Sequence, residues 1–138
     1  MTRKGTTKPV EKGFGDGRLR IARSYLKAAR IEVAMAEAGD IGNPAMSQIV
    51  NAAIAYADAL TARFAGQINR ADHAAVVKTL RDALGNRLPD AQASRLRNIL
   101  DQKDEAQYGI RARPLPEAAV LLGKLEEFAA WAERELDG

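Results

Sequence analysis

His73 is the only histidine in the 138-residue chain, in the stretch NRADHAAVVKTL, and it follows Asp72 near a predicted helix start. An imidazole in that setting has the chemistry of a general base or a metal ligand. The chain has no cysteine and no second histidine, so a transition-metal site would take its other ligands from carboxylates alone. Capping or local packing is the ordinary role of such a residue. A Ser-His-Asp system would need Ser24, Ser47 or Ser94 beside His73, and none of the three stands in a context resembling a nucleophile turn. No catalytic residue, metal site or cofactor is expected.

Asp101, Asp104 and Glu105 cluster near the end of a predicted fourth helix, with Asp101 and Glu105 one turn apart on one face. Paired carboxylates can hold Mg²⁺ or share acid and base roles. Here Arg97 stands four residues before Asp101, and Lys103 lies between the acids, so a solvated, salt-bridged face is the expected outcome. Arg111 and Arg113 in the turn GIRARPLP, with Arg95 and Arg97 on the helix before it, have the makings of an anion-binding patch. Tyr108 at the helix end has a ring able to stack on a base. With Lys103, these give the candidate ligand-facing set: Arg95, Arg97, Lys103, Tyr108, Arg111 and Arg113. Gly13, Gly15 and Gly17 make a loose glycine run, but no strand precedes it and no Lys-Ser/Thr follows, so a hinge is expected there and not a phosphate loop.

The elements that would carry these groups are helical. In the central stretch 43–66, Asn43 and Pro44 form a helix start, the amide as cap and the proline at the first position. Met46, Ile49, Ala53, Tyr56, Leu60 and Phe64 then recur at spacings of three and four, among many alanines that admit close neighbours. A first helix is predicted over 17–38, with the stripe Leu19, Ala22, Leu26, Ala29, Val33 and Ala36 and a second stripe, Ile21, Tyr25, Ala28 and Met35, beside it. Further helices are predicted over 70–84 with Asn69 as cap, over 90–108, and over 116–136. The last of these carries Leu121, Leu125 and Phe128 on its stripe and Leu122 and Trp131 on its flanks. No segment alternates with period two, so no strand is expected. The fold class is all-α, an antiparallel up-and-down bundle of four to five helices. Residues 1–15 read as a flexible basic tail and 16–138 as one domain.

Charge is unevenly placed. The net charge is +3, yet residues 1–30 hold nine Lys and Arg against Glu11 and Asp16, which leaves the remainder mildly acidic. Such an end attracts nucleic acid or an acidic partner, or serves as a solubilising tail. Without cysteine, disulfides, thiolate chemistry and Cys-based zinc sites are excluded. No apolar run approaches the ~20 residues that span a bilayer, and the N-terminus lacks the apolar segment of a secretory signal, so a soluble cytoplasmic protein with no membrane partner is expected.

Three stretches resemble the HEPN family of small helical bundles: NAAIAYADALTARFAG, its alanine- and tyrosine-rich second long helix; NILDQKDEAQYG, the end of its fourth; and LPEAAVLLGKLEEFAAWAEREL, its C-terminal amphipathic helix. DHAAVVKTL, with His73 opening the third helix, also fits, and the resemblance covers about residues 17–137. One branch of that family consists of metal-independent ribonucleases, including toxins, that use an Arg, a polar residue and a His four to six residues after the Arg. Arg97 and Asn98 match the start of that motif, but Gln102 and Lys103 stand where the histidine belongs, and Arg70 is only three residues before His73. The resemblance therefore implies the other branch: a non-catalytic module that dimerises and binds a nucleotide, RNA or a nucleotidyltransferase partner. A degenerate ribonuclease using Arg97, Asn98 and His73, and a helical adaptor with a basic first helix, are the alternatives.

Overall fold

Twelve of the 23 residues of the central helix, Asn43–Ala65, are buried, on more than one face. Its alanines make this possible, because small side chains let neighbouring backbones approach from several sides. The computed structural model describes residues 7–137. In chain order the elements are β1 (Thr7–Pro9), α1 (Phe14–Met35), α2 (Asn43–Ala65), β2 (Gln67–Asn69), α3 (Val76–Leu84), α4 (Asp90–Leu100), α5 (Lys103–Tyr108) and α6 (Leu115–Asp137). The all-α bundle predicted from the pattern forms, with α1, α3, α4, α5 and α6 all packed on α2.

Direction follows from the contacts. Gly15 at the start of α1 lies against Ala59 and Ala62 near the end of α2, so α1 and α2 run antiparallel. Arg23 and Arg30 of α1 meet Glu133 and Glu126 of α6, which makes that pair antiparallel as well. α2 and α6 therefore run in the same direction. The core between them holds Met46, Ile49, Tyr56, Leu60, Leu125 and Phe128, each almost wholly removed from water. Leu122 and Trp131, on the flanks of the last helix, are also buried within the monomer. The second stripe of α1 is not: Ile21 remains 41% exposed and Met35 74%.

Several sequence expectations are corrected. Of the tail expected over 1–15, residues 1–6 lie outside the described residues. Thr7–Pro9 pairs antiparallel with Gln67–Asn69, Val10 donates to the Gly66 carbonyl at 3.1 Å, and α1 already begins at Phe14. These strands escape pattern reading because each is three residues long and supported by a distant partner. Pro9 is tolerated because the ribbon is all edge. Asn43 does not cap its own helix. Its amide donates to the carbonyls of Ala106 and Arg111, both at 3.3 Å, and its oxygen accepts from the Arg113 N–H at 2.7 Å, clamping the turn before α6. Asn69 likewise folds back on the next turn, donating to Ala71 and Asp72 carbonyls. The third helix consequently starts as a 3₁₀ turn at His73–Ala75. The helix expected over 90–108 breaks after Leu100, where the Gln102 N–H bonds back only three residues to Ile99. That tightened turn re-aims α5 so that Ala106 is buried.

Gly42 is required by space. A Cβ there would lie 2.9 Å from the Pro114 carbonyl oxygen and 3.1 Å from Ala118 Cβ, while its N–H donates to Arg113 O at 2.7 Å. Gly66 is required by conformation: it ends α2 at φ 66°, and its N–H closes on Ala62 and Thr61 carbonyls.

Candidate functional site

The outer faces of α3 and α4 form a groove of about 420 Å³. Leu80 and Leu84 of α3 point inward, which turns Lys78 and Arg81 outward. Leu96, Ile99 and Leu100 do the same for α4 and leave Arg97 and Asp101 on the rim. Arg81 is held rigidly, donating to Leu88 O at 2.8 Å and Gly85 O at 3.2 Å and pairing with Asp90 at 3.0 Å. Lys78 pairs with Asp82 at 2.8 Å. The Arg97–Asp101 pair expected from spacing does not form, and Arg97 has no ion-pair partner among the described residues, although both line the groove. A fixed guanidinium, a tethered ammonium and an unengaged guanidinium around an apolar floor of Val77 and Leu100 suit a phosphate-bearing ligand with one flat face.

The rest of the candidate set lies elsewhere or is occupied. Lys103 donates to Gln107 at 3.1 Å and stands 5.0 Å from the ring of Tyr108, which is 72% exposed. Arg111 pairs with Glu105 at 3.2 Å, and Arg113 reaches Glu117 through two nitrogens at 2.6 and 3.0 Å. Those two arginines are thus largely neutralised by neighbouring carboxylates. Arg95 is half-buried on α4 and does not line the groove. Asp101 and Glu105 are separated by the break between α4 and α5, and the described residues hold no cluster of three metal-ligating side chains. His73 opens the turn before α3, and its neighbour Ala74 lines the groove.

Three cations of α1, Arg18, Arg23 and Arg30, face the fold's own acids. Arg23 grips Glu133 through two nitrogens at 2.5 and 2.8 Å, and the same carboxylate accepts the Tyr56 hydroxyl at 3.1 Å. The hydrogen bond from Arg23 holds the Glu133 carboxyl below its usual range, against the opposing effect of burial. Burial, followed by the Glu133 charge, pushes Tyr56 well up, so its hydroxyl stays a donor. Arg30 pairs with Glu126 at 2.9 Å.

Sequence reading missed Asp58, a carboxyl in the alanine-rich middle of α2. Burial pushes its pKa up to about 6, against the attraction of Arg18 and Lys8. Arg18 Nε lies 3.7 Å away, beyond a good hydrogen bond, and is itself buried without a hydrogen-bond partner among the described residues. A charge flanked by Ala57 and Ala59 on the most buried helix was the available signal. Lys78 and Arg81 were missed too; their spacing of three, opposite Leu80 and Leu84, was the clue. Comparison with protein-family models and with curated proteins finds no match.

Proposed function

We propose that the chain is a non-catalytic, HEPN-like binding module whose α3–α4 groove takes a nucleotide or a short stretch of RNA. The observation that carries this is Arg97, presented with no ion pair among the described residues beside the rigid Arg81 and the tethered Lys78. Phosphate oxygens would complete the arginine's hydrogen bonding, and Val77 and Leu100 offer an apolar surface to a base. A nucleotidyltransferase partner and a homodimer, which the family resemblance implies, belong to the same reading. The test is a melting-temperature screen with adenosine and guanosine mono-, di- and triphosphates, beside Arg97→Ala. Stabilisation that rises with ligand concentration and vanishes in the variant is expected. No shift with any nucleotide, together with no retention of single-stranded RNA, refutes the reading.

A ribonuclease is the second reading, favoured by one observation: Ala74, next to His73, lines the same groove. Incubation with mixed-sequence RNA without metal separates the two. Cleavage abolished by both Arg97→Ala and His73→Ala would replace binding with catalysis.

A further inference from the structure

We infer that the outward face of α1 is a docking surface for an amphipathic helix bearing carboxylates seven residues apart along one flank. Ile21, Ala28, Ile31 and Met35 follow one another at spacings of seven, three and four, on the side of α1 turned away from Ala22, Leu26 and Ala29. Ile21, Ile31 and Met35 are 41%, 51% and 74% exposed. They form an apolar line four turns long, about 21 Å, on an otherwise charged helix. Beside this line a groove of about 550 Å³ runs between α1 and Gln48 of α2, with Ser24 and Ala28 as its small floor residues. The Gln48 side-chain oxygen is buried there without a hydrogen-bond partner among the described residues.

Charge identifies the occupant. Arg23 and Arg30, seven apart, are matched across the antiparallel contact by Glu133 and Glu126, also seven apart. Arg20 and Lys27 repeat that spacing on the border of the apolar line, with no ion pair among the described residues. Arg20 and Lys27 stand three residues before Arg23 and Arg30, so they lie between the pair satisfied by the chain's own acidic helix and the exposed apolar line, and present the same cationic spacing unsatisfied. Residues seven apart on a helix lie about 10.5 Å apart on one flank, the position from which charges select partners in packed helices. A second copy of this chain fits poorly: a two-fold antiparallel contact centred on Ala28 would set Lys27 against its own counterpart. An acidic amphipathic helix fits both the apolar line and the free cations.

The test uses two labelled synthetic helical peptides of equal length, leucines on one face and either glutamates or lysines seven apart on the flank, titrated with the intact protein by fluorescence anisotropy. The glutamate peptide is expected to bind at least about tenfold tighter than the lysine peptide and to weaken as salt rises. Charge reversal at Arg20→Glu and Lys27→Glu together should invert the preference. Ala28→Arg should abolish binding of both peptides while leaving the circular dichroism and melting temperature unchanged. Equal binding of the two peptides, or none at about 100 µM protein, overturns the inference. So does a wild-type dimer that Ala28→Arg dissociates, which would give the face to a second copy.

Discussion

Replacing Asp58 by asparagine should make the protein more stable at neutral pH, by an amount that disappears in acid. The folded carboxyl titrates near pH 6 instead of its ordinary 3.8, a difference of about two pH units. Because the folded state holds that proton more tightly than the unfolded chain, the side chain's contribution to stability is greatest below pH 3.8. It is lost as pH rises through about 6 and is constant beyond. At about 1.4 kcal/mol per pH unit, the ionised side chain costs the fold up to about 3 kcal/mol at pH 7.5. The attractions of Arg18 and Lys8 already oppose burial within that figure. Asparagine keeps the shape and hydrogen-bonding reach of the protonated acid without the charge.

Urea unfolding of the two proteins at pH 4, 5, 6 and 7.5 measures the difference, and contributions from other groups, Glu133 among them, cancel between the proteins. A gain of about 1–3 kcal/mol is expected at pH 7.5, equivalent to several degrees in melting temperature, falling to near zero at pH 4. A difference that stays constant with pH, or a variant less stable at pH 7.5, would mean that Arg18 and Lys8 fully satisfy the carboxylate, and the account of a penalised charge would be wrong.

Asn43→Ala removes three hydrogen bonds to the turn before α6 and should cost about 2–3 kcal/mol by chemical denaturation, well above the ~1 kcal/mol expected of an ordinary cap. Gly42→Ala forces a Cβ into the Pro114 carbonyl and the Ala118 methyl and should lower stability by about 1–3 kcal/mol; a neutral result would show that the loop shifts freely. For Glu133, whose carboxyl is held below its usual range, the sign is opposite to Asp58: its contribution is present above the unfolded carboxyl's range and is lost as pH falls through the folded value. Glu133→Gln should therefore destabilise at pH 7 by about 1 kcal/mol, the pair being partly exposed, and match the parent in strong acid.

The parts of the fold legible in the sequence were those governed by local periodicity. The stripes of α1, α2 and α6 declared their buried faces because a 3.6-residue repeat needs no knowledge of the partner. What escaped was set at a distance. The β1–β2 ribbon joins residues some sixty apart, and three residues are too few to show alternation. Asn43 reads as a cap because asparagine is a preferred cap and proline suits the first helical position; its true partners come sixty to seventy residues later. The break after Leu100 is a matter of backbone tightening in a stretch whose composition would also suit a continuing helix. Among the candidate residues, Arg113–Glu117 was readable as an i,i+4 pair, whereas the juxtaposition of Arg97 with Lys78 and Arg81 depends on how two helices pack.

The same distinction bears on what the basic N-terminal third is for. Counted along the chain, its cations suggest a surface awaiting a polyanion. Placed on α1, they divide by angle: Arg18, Arg23 and Arg30 turn toward Asp58, Glu133 and Glu126 and hold the bundle together, while Arg20 and Lys27 flank the exposed apolar line. A polyanion would compete with the fold's own carboxylates for the first group and meet isoleucine and methionine beside the second. An apolar line bordered by two cations, beside a groove lined by Arg20, Ser24 and Ala28, fits instead the helix proposed above, with carboxylates where the cations are and leucine-like side chains where the line runs. The nucleotide site proposed around Arg97 lies on a different surface, between α3 and α4, so the two proposed ligands do not compete for the same residues.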